Sequence, residues 1–336
     1  MSFSTLESLP NEILTDIIEK YINGIDLLRA FSFQLNQRFD SLIIQCQRLC
    51  FDFIQCHQDD FRLCMGLLPA YIDKVEELAI SEENTPGQVY AFLSFFPSFA
   101  VFKRLQTLYF HFDSESMDKA IIGRALISLS QTTIETLSII EMNADFRSPL
   151  KNVIVDLFRL KSLKLFSLKS NLDYINCEYL ADVSSNIEYL TISGIHFEFE
   201  DLKYIFQCAR RLKYLNIQLT DSKNRYFDEP KMFLKRNIAV SSALRTLVLY
   251  FSSKNSITMD MLREYFNSMP ILNRLEVIAH NELLDANAWQ MLLETSLPSL
   301  IHFTLRTTIS RIGKANVHNG LASFQSSYWY LLASEM

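Results

Sequence analysis

Residues 212–217 read LKYLNI, and residues 187–192, 244–249 and 272–277 read IEYLTI, LRTLVL and LNRLEV. Each hexamer has apolar residues first, fourth and sixth. Its end alternates: Leu215 and Ile217 face one way and Asn216 the other, the period of a half-buried strand. Five further copies follow the same rule: VEELAI from Val75, LQTLYF from Leu105, IETLSI from Ile134, LKSLKL from Leu160 and LIHFTL from Leu300. In chain order the starts are 30, 29, 26, 27, 25, 32, 28 and 28 residues apart. One such hexamer is chance in a leucine-rich chain; nine at near-constant spacing are an internal repeat.

The stretches between hexamers have helical spacing, as in LKYIFQCARR at 202–211 and MLREYFNSM at 261–269. Pro270 and Pro298 stand just ahead of a hexamer, where proline stops the preceding helix. Thr85-Pro86-Gly87-Gln88 offers an N-cap, a first-position proline and a capping-box partner. A strand–turn–helix unit of about 28 residues cannot bury its own apolar face, whereas stacked units share one core. The chain therefore reads as α/β, and the array resembles a leucine-rich-repeat solenoid over residues 75–312, about nine units with a parallel concave sheet and outer helices. It departs from the family where an asparagine or cysteine is usual beyond each strand: Asp113, Met142, Leu168 and Ile195 stand there, so no asparagine ladder is expected.

Ahead of the array, residues 6–31 read LESLPNEILTDIIEKYINGIDLLRAF. Pro10 suits a first helical turn and Glu12 the positive end of the helix dipole. Asn23-Gly24 ends that helix, and Asp26 caps a second over 27–31. A third over 34–48 turns Leu35, Phe39, Leu42 and Ile43 inward. Three short helices are a marginal domain, and their apolar excess points to a partner surface.

These helices resemble an F-box. Leu9-Pro10-x-Glu12-Ile13-Leu14-x-x-Ile17-Ile18 matches its first helix, Asp26-Leu27-Leu28 its middle, and Leu35-Asn36-Gln37-Arg38-Phe39-x-x-Leu42 its third helix. Asn36 stands where cysteine is common and Phe39 where tryptophan is. The resemblance implies a module at 1–48, a linker or first helical cap at 49–74, the repeats, and a C-terminal cap at 313–336. It further implies docking to the Skp-type adaptor, and through it to a cullin scaffold, by Leu6, Leu9, Pro10, Ile13, Ile17, Leu27 and Leu28. The chain would be a non-catalytic substrate receptor of an SCF ubiquitin ligase. The alternative is a scaffold whose N-terminal helices only cap the solenoid.

An unknown protein substrate would meet the outward strand positions of the concave face. Tyr109, His111, Lys164, Phe166, Tyr189, Tyr214, Tyr250, Arg274 and Arg306 are the candidates, with Thr107, Asn216, Glu276 and His302 beside them; tyrosine and arginine are frequent interface anchors. The insertion DSKNRYFDEPK at 221–231 reads as a rim loop.

Composition narrows the function further. Net charge is −6 and no long Lys/Arg run occurs, which argues against nucleic acid. The longest uncharged apolar stretch, 90–102, is too short to span a bilayer and is broken by Pro97. The beginning MSFSTLESLP has neither a basic nor an apolar leader region. With six cysteines, the expectation is free thiols in the cytoplasm or nucleus. Cys46, Cys50, Cys56, His57 and Cys64 match no standard zinc spacing. No P-loop, GxGxxG, HExxH or GxSxG occurs, so neither cofactor nor catalytic site is expected.

Overall fold

The computed structural model describes residues 8–31, 37–145, 147–172, 175–220, 243–251, 258–280 and 285–308. The chain divides into two compact units, residues 1–171 and 172–336. The first opens with helices α1 (Asn11–Tyr21), α2 (Gly24–Phe31) and α3 (Gln37–Gln45). It continues β1 (Leu49–Asp52), α4 (Gln58–Leu67), β2 (Val75–Ser81), α5 (Gln88–Phe95), β3 (Thr107–Asp113), α6 (Lys119–Ile127), β4 (Thr136–Met142), α7 (Leu150–Phe158) and β5 (Leu165–Ser170). The second unit holds β6 (Tyr189–Glu198), α8 (Leu202–Cys208), β7 (Tyr214–Thr220), β8 (Thr246–Phe251), α9 (Met259–Phe266), β9 (Arg274–His280), α10 (Ala286–Ser296) and β10 (His302–Thr308). In both units the strands pair in parallel and in chain order. The protein is a mixed α/β chain.

Eight of the nine hexamers carry a strand, and the pairing sets their register. Leu108 lies opposite Leu137 and Phe110 opposite Ile139, so the fourth and sixth hexamer residues form continuous buried rows. Aromatic side chains from the connecting segments close on these rows. Phe99 meets Phe110 edge-on at 5.6 Å and Phe158 of α7 meets Phe166 at 5.6 Å. In the second unit Trp289 of α10 lies 5.1 Å from Phe303. Each fully buried Leu, Ile or Phe contributes about 1.5–3 kcal/mol.

The fourth hexamer needs a correction. Leu165 pairs with Thr136 and Phe166 with Leu137, so the strand copy is LKLFSL from Leu163, three residues later than LKSLKL. Phe166 is therefore a fully buried core residue, not an outward one. Lys164 precedes the strand and pairs with Glu135 at 2.8 Å. Leu165 and Ser167 take the outward positions.

The sheet also begins earlier than the hexamers. Residues 49–74, expected as a linker or helical cap, contain β1 and α4. Leu49, Phe51 and Phe53 are fully buried, and Phe51 pairs with Leu78. The N-terminal helices attach to this edge strand. Asn23, not Asp26, caps α2: its Oδ1 accepts from the Ile25 amide at 3.2 Å. The same oxygen accepts from the Asp52 amide, and its Nδ2 donates to the Asp52 carbonyl. Gly24 presses so closely on Phe51 that a Cβ there would stand 2.5 Å from the ring.

Buried carboxylates tie strand ends to the segments that follow. Glu82 accepts from the amides of Gly87, Val89 and Tyr90 and so caps α5. The expected cap, Thr85, instead donates to the Cys56 carbonyl, because Gly87, with φ +82°, stands at the cap position. Glu141, 2% exposed, accepts from the hydroxyls of Ser114, Ser148 and Ser170. Ser148 in turn accepts from the Leu150 amide at the start of α7.

Gly24→Ala should lower stability by about 1–3 kcal/mol in urea unfolding, since Phe51 has no room to retreat. Glu141→Ala should cost about 3 kcal/mol by the same measurement, because it leaves three hydroxyls without their acceptor.

Candidate docking surfaces

Two kinds of surface offer themselves to another molecule. The first is the outer side of α1. Leu14 and Ile18 are buried against the module, and Ile13, Ile17 and Tyr21 run along the flank of the helix beside them. Ile13 is 48% and Tyr21 81% exposed, and Ile17 is half-buried. Spaced 4 residues apart, these three make one apolar stripe. Arg38 of α3 fixes where the stripe starts, donating to the Leu9 carbonyl at 2.5 Å and to Asn11 Oδ1 at 2.8 Å. Leu9 is half-buried and Pro10 exposed. Leu27 and Leu28, expected at the same interface, are instead 0% and 2% exposed. They are a correction: α2 spends its apolar face on the core around β1 and α4. Leu6 lies outside the described residues, as do Leu35 and the segments 221–231 and 313–336.

The second kind is the open side of the sheets. In the first unit Cys50, Glu77 and Thr107 form one outward row, and Asp52, Ala79 and Tyr109 the next. Tyr109 is 39% exposed. Neither Asp52 nor Glu77 makes an ion pair among the described residues. Burial, reinforced by Asp52, pushes the Glu77 carboxyl above its usual range. Burial and the charges of Glu77 and Asp52 push the Tyr109 phenol up likewise. His111 is mostly withdrawn: its Nδ1 lies 3.0 Å from Ser81 Oγ, and burial holds its pKa below the ordinary value.

In the second unit Tyr189, Tyr214, Thr246, Arg274 and His302 form one outward row. Asn216, Val248, Glu276 and Thr304 form the next. Tyr250, Ile278 and Arg306 lie in a third. Tyr189 is 45% and Tyr250 38% exposed. Glu276 sits between two guanidiniums, 3.3 Å from Arg306 and 4.0 Å from Arg274. The structure thus gathers Tyr189, Tyr214, Tyr250, Arg274 and Arg306 on one unit's face, leaves Tyr109 and part of His111 on the other's, and removes Lys164 and Phe166. It adds Asp52 and Leu165, which the hexamer rule missed, and Glu77, an outward residue of the first hexamer that was not among the candidates.

Cys46, Cys50 and Cys56 have their thiols pushed up to about 11, and Cys64 and Cys208 to about 12, chiefly by burial. At neutral pH these sulfurs are protonated and poorly nucleophilic. Among the described residues no His, Cys, Asp and Glu cluster is placed to hold a metal ion, and no helix is long and apolar enough to cross a membrane. No protein-family model and no curated protein matches the chain.

Because the folded state raises the Glu77 pKa, it binds that proton more tightly than the unfolded chain does. Glu77 then detracts from stability at neutral pH, and the loss disappears as pH falls below the ordinary carboxylate range. Glu77→Gln should therefore raise the urea midpoint at pH 7, with the gap over wild type closing towards pH 4.

Proposed function

We propose that this chain is an F-box, leucine-rich-repeat substrate receptor of an SCF-type ubiquitin ligase, acting in the cytoplasm or nucleus. The N-terminal helices dock on the Skp-type adaptor, and through it on the cullin scaffold. The open sheet faces hold a protein substrate, and the chain carries no catalytic centre of its own. The observation that carries this reading is the outer stripe of α1. Ile13 and Tyr21 are apolar yet left exposed, with the half-buried Ile17 between them at i, i+4 spacing. Folding alone gives no reason to keep such residues out of the core, whereas an adaptor groove gives one.

Three features of the repeats support the same reading: hexamers at near-constant spacing, parallel strands in chain order, and helices confined to the buried side. The family's asparagine position is filled differently, and carboxylates one residue ahead of it, Glu82 and Glu141, satisfy the loops instead.

A second reading, a repeat scaffold whose N-terminal helices serve only as a cap, draws on the Asn23 and Gly24 contacts with β1. The two readings rest on different residues of the module, so one experiment separates them. Purified with the Skp-type adaptor, the wild-type chain should form a complex, and Ile13→Asp with Ile17→Asp should abolish it. These half-open positions leave the buried Leu14, Ile18 and Leu27 intact, so the variant should keep its melting temperature. Failure of the wild type to bind selects the scaffold. Equal binding by the variant moves the interface off α1.

A further inference from the structure

Among its described residues, the second unit's open face carries more positive charge than negative. Glu276 is a nearly buried carboxylate, its side chain 14% exposed, between guanidiniums of Arg274 and Arg306 that are 56% and 68% exposed. One negative charge thus positions two positive ones. Each guanidinium has five N–H donors, and the single carboxylate engages only a few, leaving the rest turned to solvent. Arg245, just before β8, is exposed and makes no ion pair among the described residues; its carbonyl accepts from the amides of Asn273 and Arg274, holding it at the same edge. Among the described residues of the three outward rows that hold Tyr214, Asn216 and Tyr250, Glu276 is the only acidic side chain.

Tyr250 shares a row with Ile278 and Arg306. Strands are spaced about 4.8 Å apart, so the ring lies roughly 10 Å from the Arg306 backbone, about three residues of an extended chain. Tyr214 stands in the same relation to Arg274, with Thr246 between them.

We infer that this face binds an extended acidic peptide segment of a protein partner. Aspartate or glutamate carboxylates pair with Arg274 and Arg306, and neighbouring apolar side chains lie over Tyr214 and Tyr250. Charge complementarity chooses the occupant. The half-buried Glu276 draws both guanidiniums to one place, so that an arriving carboxylate meets them together. A nucleic acid is the poorer fit, because a few cations on a chain of net charge −6 do not form a phosphate-tracking stripe. A lone small anion would leave the tyrosine surface uncovered. The inference names the client class for the receptor role proposed above and rests on that role only for the partner's fate, since peptide binding requires no adaptor.

The test is a selection of random dodecapeptides displayed on phage against the full-length chain, followed by anisotropy of the labelled winners. Winners should be rich in Asp and Glu with an apolar or aromatic neighbour, and their affinity should fall as salt rises. Arg274→Gln with Arg306→Gln should weaken them by about tenfold or more. Arg274→Lys with Arg306→Lys keeps the charges and should retain most of the affinity, which separates lost charge from lost fold. Neutral or basic winners, no enriched sequences, or binding indifferent to the glutamine pair would each overturn the inference. So would a synthetic phosphoserine peptide that binds while its glutamate counterpart does not, which would make phosphate the ligand. The glutamine pair should still co-purify the adaptor. Lost adaptor binding in the wild type with intact peptide binding removes the ligase role and leaves this site standing.

Discussion

A strand of six or seven residues with one apolar face cannot shield that face alone, and most other features of this chain follow from that constraint. Stacking in register solves it, because each strand's fourth and sixth residues then continue the buried rows of its neighbours. A parallel neighbour can be reached only through a crossover of a dozen or more residues, and this fixes the repeat near 28. The crossovers supply the covering side chains, such as Phe158 on Phe166 and Trp289 on Phe303. The first strand still leaves an edge that would invite pairing with another chain. The turn at Asn23 covers it, matching the backbone of Asp52 with its side-chain amide, and Gly24 gives Phe51 the space to pack.

Where each strand leaves the sheet, its backbone must turn under cover from water, and buried polar groups there need partners. Carboxylates perform this task in the first unit. A carboxylate accepts several hydrogen bonds at once, so Glu82 holds three amides and Glu141 three hydroxyls. Asparagine would bring donors that these sites do not require.

The strands were legible in the sequence because their period is strict, and the failures have identifiable causes. LKSLKLFSL satisfies the hexamer rule from Leu160, and Leu163 begins the copy that pairs. Only the partner strand decides, by placing Phe166 opposite Leu137. β1 escaped the rule because Arg48 fills the place of the first apolar residue, although Leu49, Phe51 and Phe53 alternate as a strand should. Arg48 is tolerated because it lies beside Glu19, at 3.5 Å. The N-terminal module was harder to read. In so small a domain every helix looks apolar, and the pattern cannot say which face meets the rest of the chain. Leu27 and Leu28 went to the sheet edge, while Ile13 and Tyr21 did not.

The outward rows are the positions that folding constrains least, so their contents carry more functional information than the core does. The core would be served by almost any set of aliphatic residues at the same spacing. The faces of the two units nevertheless differ in kind. Asp52 and Glu77 neighbour one another without a cation, and the raised pKa of Glu77 records the cost. Arg274 and Arg306 share one carboxylate and keep most of their donors outward. Folding alone would favour neither arrangement, since exchanging a few of these side chains would relieve both. On surfaces that the helices leave bare, two such arrangements suit two separate recognition tasks, each set by the charge its partner must bring.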